Sequence, residues 1–131
     1  MSDFRFVTET FAVSPQISAD DVGEAGRQGF TLIINNRPDG EAPGQPTAAA
    51  IEAAARAAGL DYLWIPVRGA PTPEQAVAVQ RAAADGKVLA FCRSGTRSIT
   101  AWAMGQAQAG AEVKALARCG AAAGYDLSWL G

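Results

Sequence analysis

The chain has 131 residues, 49% of them hydrophobic, and a formal charge of −2, which fits one globular domain with a sizeable core and leaves no room for a second. That charge balance argues against nucleic acid or an acidic membrane as the main partner, so an anionic ligand must be captured by a local pocket. With no histidine and two cysteines 27 positions apart, the chain offers neither a zinc ligand set nor a disulfide framework, and a Cys–His or Ser–His catalytic pair is excluded.

Met1 to Arg5 lacks the basic segment and apolar run of a secretory signal, and no stretch is long and apolar enough to cross a bilayer, so a cytoplasmic protein without a membrane partner is expected. Phe4 to Val7 and Phe11 to Val13 are expected as short edge strands. Ser18, with Asp21 three residues on, starts a helix that ends near Gly29. Thr31 to Ile34 is a buried strand, followed by a polar loop from Asn35 to Pro46 rich in Gly and Pro. An alanine-rich helix from Thr47 to Ala58 closes at Gly59. Tyr62 to Ile65 is a third strand of this kind, Pro66 to Pro71 a loop, and Thr72 caps a helix with Pro73 at its first position and Gln75 at the capping-box position. Asp85-Gly86 turns the chain into the apolar strand Val88 to Phe91. Two helices with a break at Gly110 follow, the first from Ser98 to Gln108, and Gly124 to Leu127 begins a short terminal helix. Trp64, Trp102 and Trp129 read as packing aromatics.

Alternating strands and helices predict an α/β domain spanning residues 1–131, its mainly parallel sheet flanked by helices on both faces. Ligands of such sheets sit beyond the carboxyl ends of the strands. That rule gathers the Asn35–Pro46, Pro66–Thr72 and Cys92 loops on one rim.

The stretch Cys92-Arg93-Ser94-Gly95-Thr96-Arg97-Ser98 places a thiol where a buried strand ends and a helix begins. Backbone N–H groups of residues 93–98, the positive end of the following helix and Arg97 all favour a negative charge at the centre of such a loop, and with it a nucleophilic thiolate and an anionic substrate. A core cysteine has no need of two arginines, three hydroxyl residues and a glycine beside it. Cys92 and Arg97 are therefore the expected catalytic pair. Ser94, Gly95, Thr96 and Ser98 are expected to bind substrate with the loop, Gly95 at a positive φ, while Arg93 points outward and draws in the anion. Arg37, at the sheet's carboxyl rim, is a further substrate-binding residue. No cofactor or metal is implied. Cys119, in an alanine-rich helix, reads first as a packing residue.

Ile34 to Gly40, Pro43 to Pro46, Ile65-Pro66-Val67, the Cys92–Ser98 loop and Ala123 to Leu127 together resemble the small bacterial family called beta-lactamase-hydrolase-like protein, phosphatase-like domain, over about Phe11 to Leu130. The resemblance implies a fold like that of the dual-specificity phosphatases with an active loop like that of rhodaneses. It also implies a partner: some members are fused to a metallo-beta-lactamase-like domain that oxidises persulfides, and some are described as sulfurtransferases.

Two features bear on the chemistry. Cysteine phosphatases carry five residues between cysteine and arginine, whereas four separate Cys92 from Arg97, as in many rhodaneses. The resembled phosphatases also keep an aspartate on the loop after the previous strand as general acid, and here Pro66-Val67-Arg68-Gly69-Ala70-Pro71-Thr72 holds none; Asp39 or Glu41 from the neighbouring loop could substitute, although solvated loop carboxylates are the first reading of both. Sulfite leaves thiosulfate without a proton. The residues therefore fit a sulfurtransferase best, moving sulfane sulfur from thiosulfate or a persulfide through a Cys92 persulfide to a thiol acceptor. A phosphatase acting on a phosphate ester through a Cys92 phosphocysteine is the alternative, and a redox or persulfide sensor that binds a partner protein is the third reading.

Overall fold

The computed structural model describes residues 2–130; Met1, the start of the segment read for a signal, lies outside the described residues, as does Gly131. Its elements are β1 (Arg5–Phe6), β2 (Phe11–Ser14), α1 (Ala19–Arg27), β3 (Leu32–Asn35), α2 (Ala48–Ala57), β4 (Asp61–Trp64), α3 (Pro73–Ala82), β5 (Val88–Phe91), α4 (Thr96–Gln108), α5 (Val113–Ala122) and a terminal 3-10 turn at Ser128–Leu130. The sheet runs β1-β2-β5-β3-β4. Only the β1–β2 pairing is antiparallel, so β2, β5, β3 and β4 deliver their carboxyl ends to one rim.

The apolar run Val88-Leu89-Ala90-Phe91 is the centre of this sheet because both its edges are paired and all four residues are buried. Strand pleat sends alternate side chains to opposite faces. Val88 and Ala90 join Val13 and Ile34 beneath Val79 of α3, Ile99 and Trp102 of α4 and Leu116 of α5. Leu89 and Phe91 join Ala12 and Ile33 beneath Val22 of α1 and Ile51 of α2. Two cores, one on each face, thus clamp the strand that leads into Cys92.

Local signals start the helices where the sequence places them. Ser18 Oγ accepts the Asp21 N–H and the Asp21 carboxylate accepts the Ser18 N–H; Thr72 and Gln75 make the same reciprocal pair around Pro73, each such cap contributing about 1 kcal/mol. Helix α4 begins at Thr96, two residues earlier than expected, because Gly95 at φ +90° turns the chain directly into the helix.

Four expectations are corrected. Phe11–Val13 is an interior strand, since β1 covers its outer edge and leaves it fully buried. The terminal turn starts at Ser128, after a Gly124 at φ +95° and a loop. Trp64 lies on the edge strand β4 and is 45% exposed, and Trp129 is 55% exposed; of the three tryptophans Trp102 alone is in the core, stacked on Phe11.

Candidate active site

Strand β5 ends at Phe91 and the next residue is the thiol. The loop that follows is stitched to the exit of β2: the Cys92 N–H donates to Ser14 O at 3.4 Å, and the Gln16 N–H donates to Arg93 O at 3.3 Å. Cys92 has no exposed surface, yet it belongs to neither apolar cluster. Its Sγ accepts the Gly95 N–H at 3.1 Å. The sulfur therefore lies on the floor of a polar loop. Of the donor ring expected around it, Gly95 is the member in place; the Thr96 N–H meets Ser94 Oγ at 3.4 Å instead, and Ser94 Oγ donates to Thr96 Oγ1 at 3.0 Å. Arg93 is exposed.

A tyrosine supports the loop from outside. Tyr125 Oη donates to Ser94 O at 2.8 Å and accepts from Arg5 Nη1 at 2.9 Å, and a Cβ on Gly95 would fall against that phenol oxygen. Glycine is thus required at 95 twice, by its φ and by this contact. Burial, countered by Arg5, pushes the Tyr125 hydroxyl above its ordinary value, with the charge of Cys92 adding to the effect. Tyr125 therefore stays a neutral donor to the loop.

Arg97 is held by a carboxylate from the next rim loop. Its Nη1 and Nη2 donate to the two oxygens of Glu41 at 2.8 Å each, and Nη1 also donates to Val67 O at 2.8 Å. The same Glu41 Oε1 accepts from Arg37 Nε at 2.9 Å, and Arg37 Nη1 donates to Gln16 Oε1 at 3.0 Å. Arg37 is itself buried, its backbone fixed by Asn35 Oδ1 on the N–H and by the Trp64 indole on the carbonyl. Chiefly through its hydrogen bonds to Arg97, helped by Arg37, the Glu41 carboxyl is lowered to about 2. Arg97 is correspondingly raised, first by Glu41 and then by the nearby charge of Cys92. Counting protons on the guanidinium, Nη1 is fully engaged, whereas Nε and one N–H of Nη2 donate to no oxygen among the described residues, and Cys92 is the remaining side-chain partner beside the guanidinium. That unspent edge is a two-pronged donor of the kind that matches oxyanions.

The other named residues take structural posts. Ser98 is fully buried and its Oγ donates to Asn36 Oδ1 at 2.8 Å. Asn36 in turn joins three strands: its N–H donates to Phe91 O, its side chain to Ile65 O, and its carbonyl accepts from Val67. Asp39 Oδ1 accepts the Ala48 N–H at the start of α2, at 2.8 Å, so that carboxylate serves a helix N-terminus. Glu41 is ionised at neutral pH and cannot donate a proton, which corrects its reading as a substitute acid. Cys119 is half-buried and packs against the α3–α5 core. Glu41 as a clamp, Asn36, Gln16 and Tyr125 were not legible as site residues in the sequence: their site contacts span 21 to 120 residues, except for the Arg37–Glu41 pair.

Comparison with known proteins places this geometry. The family profile described as beta-lactamase hydrolase-like protein, phosphatase-like domain, matches residues 3–111. A beta-lactamase hydrolase-like protein of Xylella fastidiosa is 42% identical over 95% of this chain, and one of Agrobacterium fabrum is 41% identical over 77% of it. The chain spans 31% and 24% of the lengths of these two relatives. Among solved structures, a phosphatase candidate from Neisseria meningitidis is 29% identical with a TM-score of 0.85, covering 99% of this chain and 94% of that one. Tk-PTP in its active form has a TM-score of 0.68 at 23% identity, over 89% of this chain and 82% of its own. P. aeruginosa TpbA in complex with pTyr has 0.63 at 18%, over 90% and 72%. These two share the fold.

Proposed function

Since the chain belongs to the family of beta-lactamase hydrolase-like protein, phosphatase-like domains, we propose that it is a cysteine-dependent phosphatase, specialised for esters whose alcohol departs without being protonated. The observation that carries this reading is the convergence of the Gly95 N–H on Cys92 Sγ with an Arg97 whose outer edge is clamped by Glu41 and whose inner edge is unspent. The Cys92 thiolate attacks phosphorus, the P–O bond to the leaving group breaks, and that oxygen departs as an anion. Water then attacks the phosphocysteine, the S–P bond breaks, the thiolate is restored, and the water's proton passes to phosphate or solvent. Arg97 and the loop N–H groups hold the equatorial oxygens throughout. A general acid normally adds about 10²–10⁴-fold, and no side chain described above is placed to supply it. Phenols and other weak bases are the leaving groups that tolerate this lack.

The test is a series of aryl and alkyl phosphates assayed with wild type and Cys92→Ser. Turnover should vanish in the variant and drop about 10²-fold or more between nitrophenyl and alkyl esters, the deficit expected of a missing acid. Rates independent of the leaving group would refute this assignment.

One observation favours a second reading. Four residues between Cys92 and Arg97, one fewer than in the resembled phosphatases, draw a tighter ring that suits a terminal persulfide sulfur better than a phosphoryl group, and sulfur transfer from thiosulfate requires no acid. In that reaction Cys92 Sγ bonds to the outer sulfur, the S–S bond breaks with release of sulfite, and an acceptor thiolate then removes the sulfur as a persulfide. Mass spectrometry after thiosulfate treatment decides it: one sulfur atom added to Cys92, with aryl phosphates untouched, selects sulfur transfer. A persulfide-oxidising metallo-beta-lactamase-like domain would then be the partner that consumes the product.

A further inference from the structure

Beside the loop lies a cavity of about 390 Å³, lined by Ala70, Pro71, Arg97, Thr100, Met104 and Trp129 together with backbone around them. Arg97, Thr100 and Met104 recur at three- and four-residue spacing on one face of α4, so the groove starts at the anion-handling arginine and runs down the helix. Pro71 belongs to the loop where the resembled phosphatases keep their acid; Trp129 closes the far side.

Three properties decide what fits. Among the described residues Arg97 is the single charged one lining the groove, and it is already committed to the anion at one end, so a second charge on the ligand would go unpaired. The thioether of Met104, the Pro71 ring and the Trp129 indole offer apolar, adaptable contact. Trp129, 55% exposed, fills no core, and a large exposed aromatic at the mouth of a catalytic loop is an unsatisfied contact surface. A peptide backbone would find few hydrogen-bond partners here beyond the hydroxyls of Thr96 and Thr100.

We propose that this groove binds the organic body of the substrate, and that this body is small, uncharged and aromatic. The assignment rests on the Cys92 loop being an anion site, and it narrows the substrate from esters in general to aryl anions without a second charge. It disfavours phosphopeptides, nucleotides and glutathione derivatives.

Calorimetric titration with benzenesulfonate and methanesulfonate tests it in the wild-type protein. Neither sulfonate is turned over, so the outcome is independent of whether phosphorus or sulfur is transferred at Cys92. Benzenesulfonate should bind about tenfold more tightly, as burying one face of an aromatic ring entails. Trp129→Ala should remove most of that difference and leave methanesulfonate unchanged; Met104→Ala should act in the same direction, and 4-sulfobenzoate should lose the gain through its second charge. Equal binding of the two sulfonates to wild type overturns the proposal. So does an equal weakening of both in Trp129→Ala, which would mark the indole as a support of the loop.

Discussion

Replacing Glu41 by Gln keeps the shape of the clamp and removes its charge. In the wild type this carboxylate accepts one hydrogen bond from Arg37 and two from Arg97, all at 2.8–2.9 Å, and its ionisation is moved from the usual 4.5 down to about 2. At about 1.4 kcal/mol per pH unit, that displacement is worth about 3 kcal/mol undiluted. The side chain retains 25% of its accessible surface, so solvent screening reduces the figure to about 2 kcal/mol. Because the folded-state value is depressed, the contribution is complete above 4.5 and is lost as pH falls toward 2. Urea unfolding at pH 7 should therefore show Glu41→Gln less stable by about 2 kcal/mol, with about one-fifth of that gap left at pH 3. A gap that is absent at pH 7, or that stays constant down to pH 3, refutes the charge-clamp argument.

Other expectations follow from single contacts. Ser98→Ala strands the buried Asn36 Oδ1 without its donor and should cost about 1–3 kcal/mol in chemical denaturation. Gly95→Ala must adopt φ +90° and displace the Tyr125 phenol; a stability loss of about 1–3 kcal/mol should accompany loss of turnover, and a fully active variant would remove Tyr125 from the account of the loop. Asp39→Asn keeps the acceptor for the Ala48 N–H and weakens only its charge interaction with α2, by about 0.5 kcal/mol. Its pH–rate profile should match wild type; a drop of about 10²-fold in kcat would restore Asp39 as the acid.

What could be read from the chain was what neighbours in sequence decide. Val88–Phe91 had to be an inner strand because no face of it is polar, Gly95 had to turn where a thiol meets a helix, and Ser18, Thr72 and Pro73 start helices through contacts three residues long. The Glu41–Arg97 clamp was hidden because it depends on β3 lying beside β5, which brings residues 56 apart into contact. No local period encodes that order. Trp64 and Trp129 were misplaced for a different reason: hydropathy asks for burial, but β4 has a neighbour on one side only and the terminal turn has none above its indole.

The site's charges show what kind of recognition remains to it. Arg37 and Arg97 against Glu41 leave one positive charge, and a thiolate at Cys92 would cancel it. A cradle neutral overall exerts little long-range pull, so the exposed Arg93 is left to attract an anion from solution. Holding the anion then falls to direction, through the unspent Nε and Nη2 edge of Arg97 and the loop N–H groups. Lysine at 97 would keep the charge and lose both the fork toward substrate and the paired bonds to Glu41. Glu41 spends part of the site's positive charge, and in exchange it fixes the plane of the guanidinium. On the function proposed above, selectivity between a phosphoryl group and a sulfane sulfur would be a matter of how far that plane stands from Sγ, which the four-residue spacing of the loop sets.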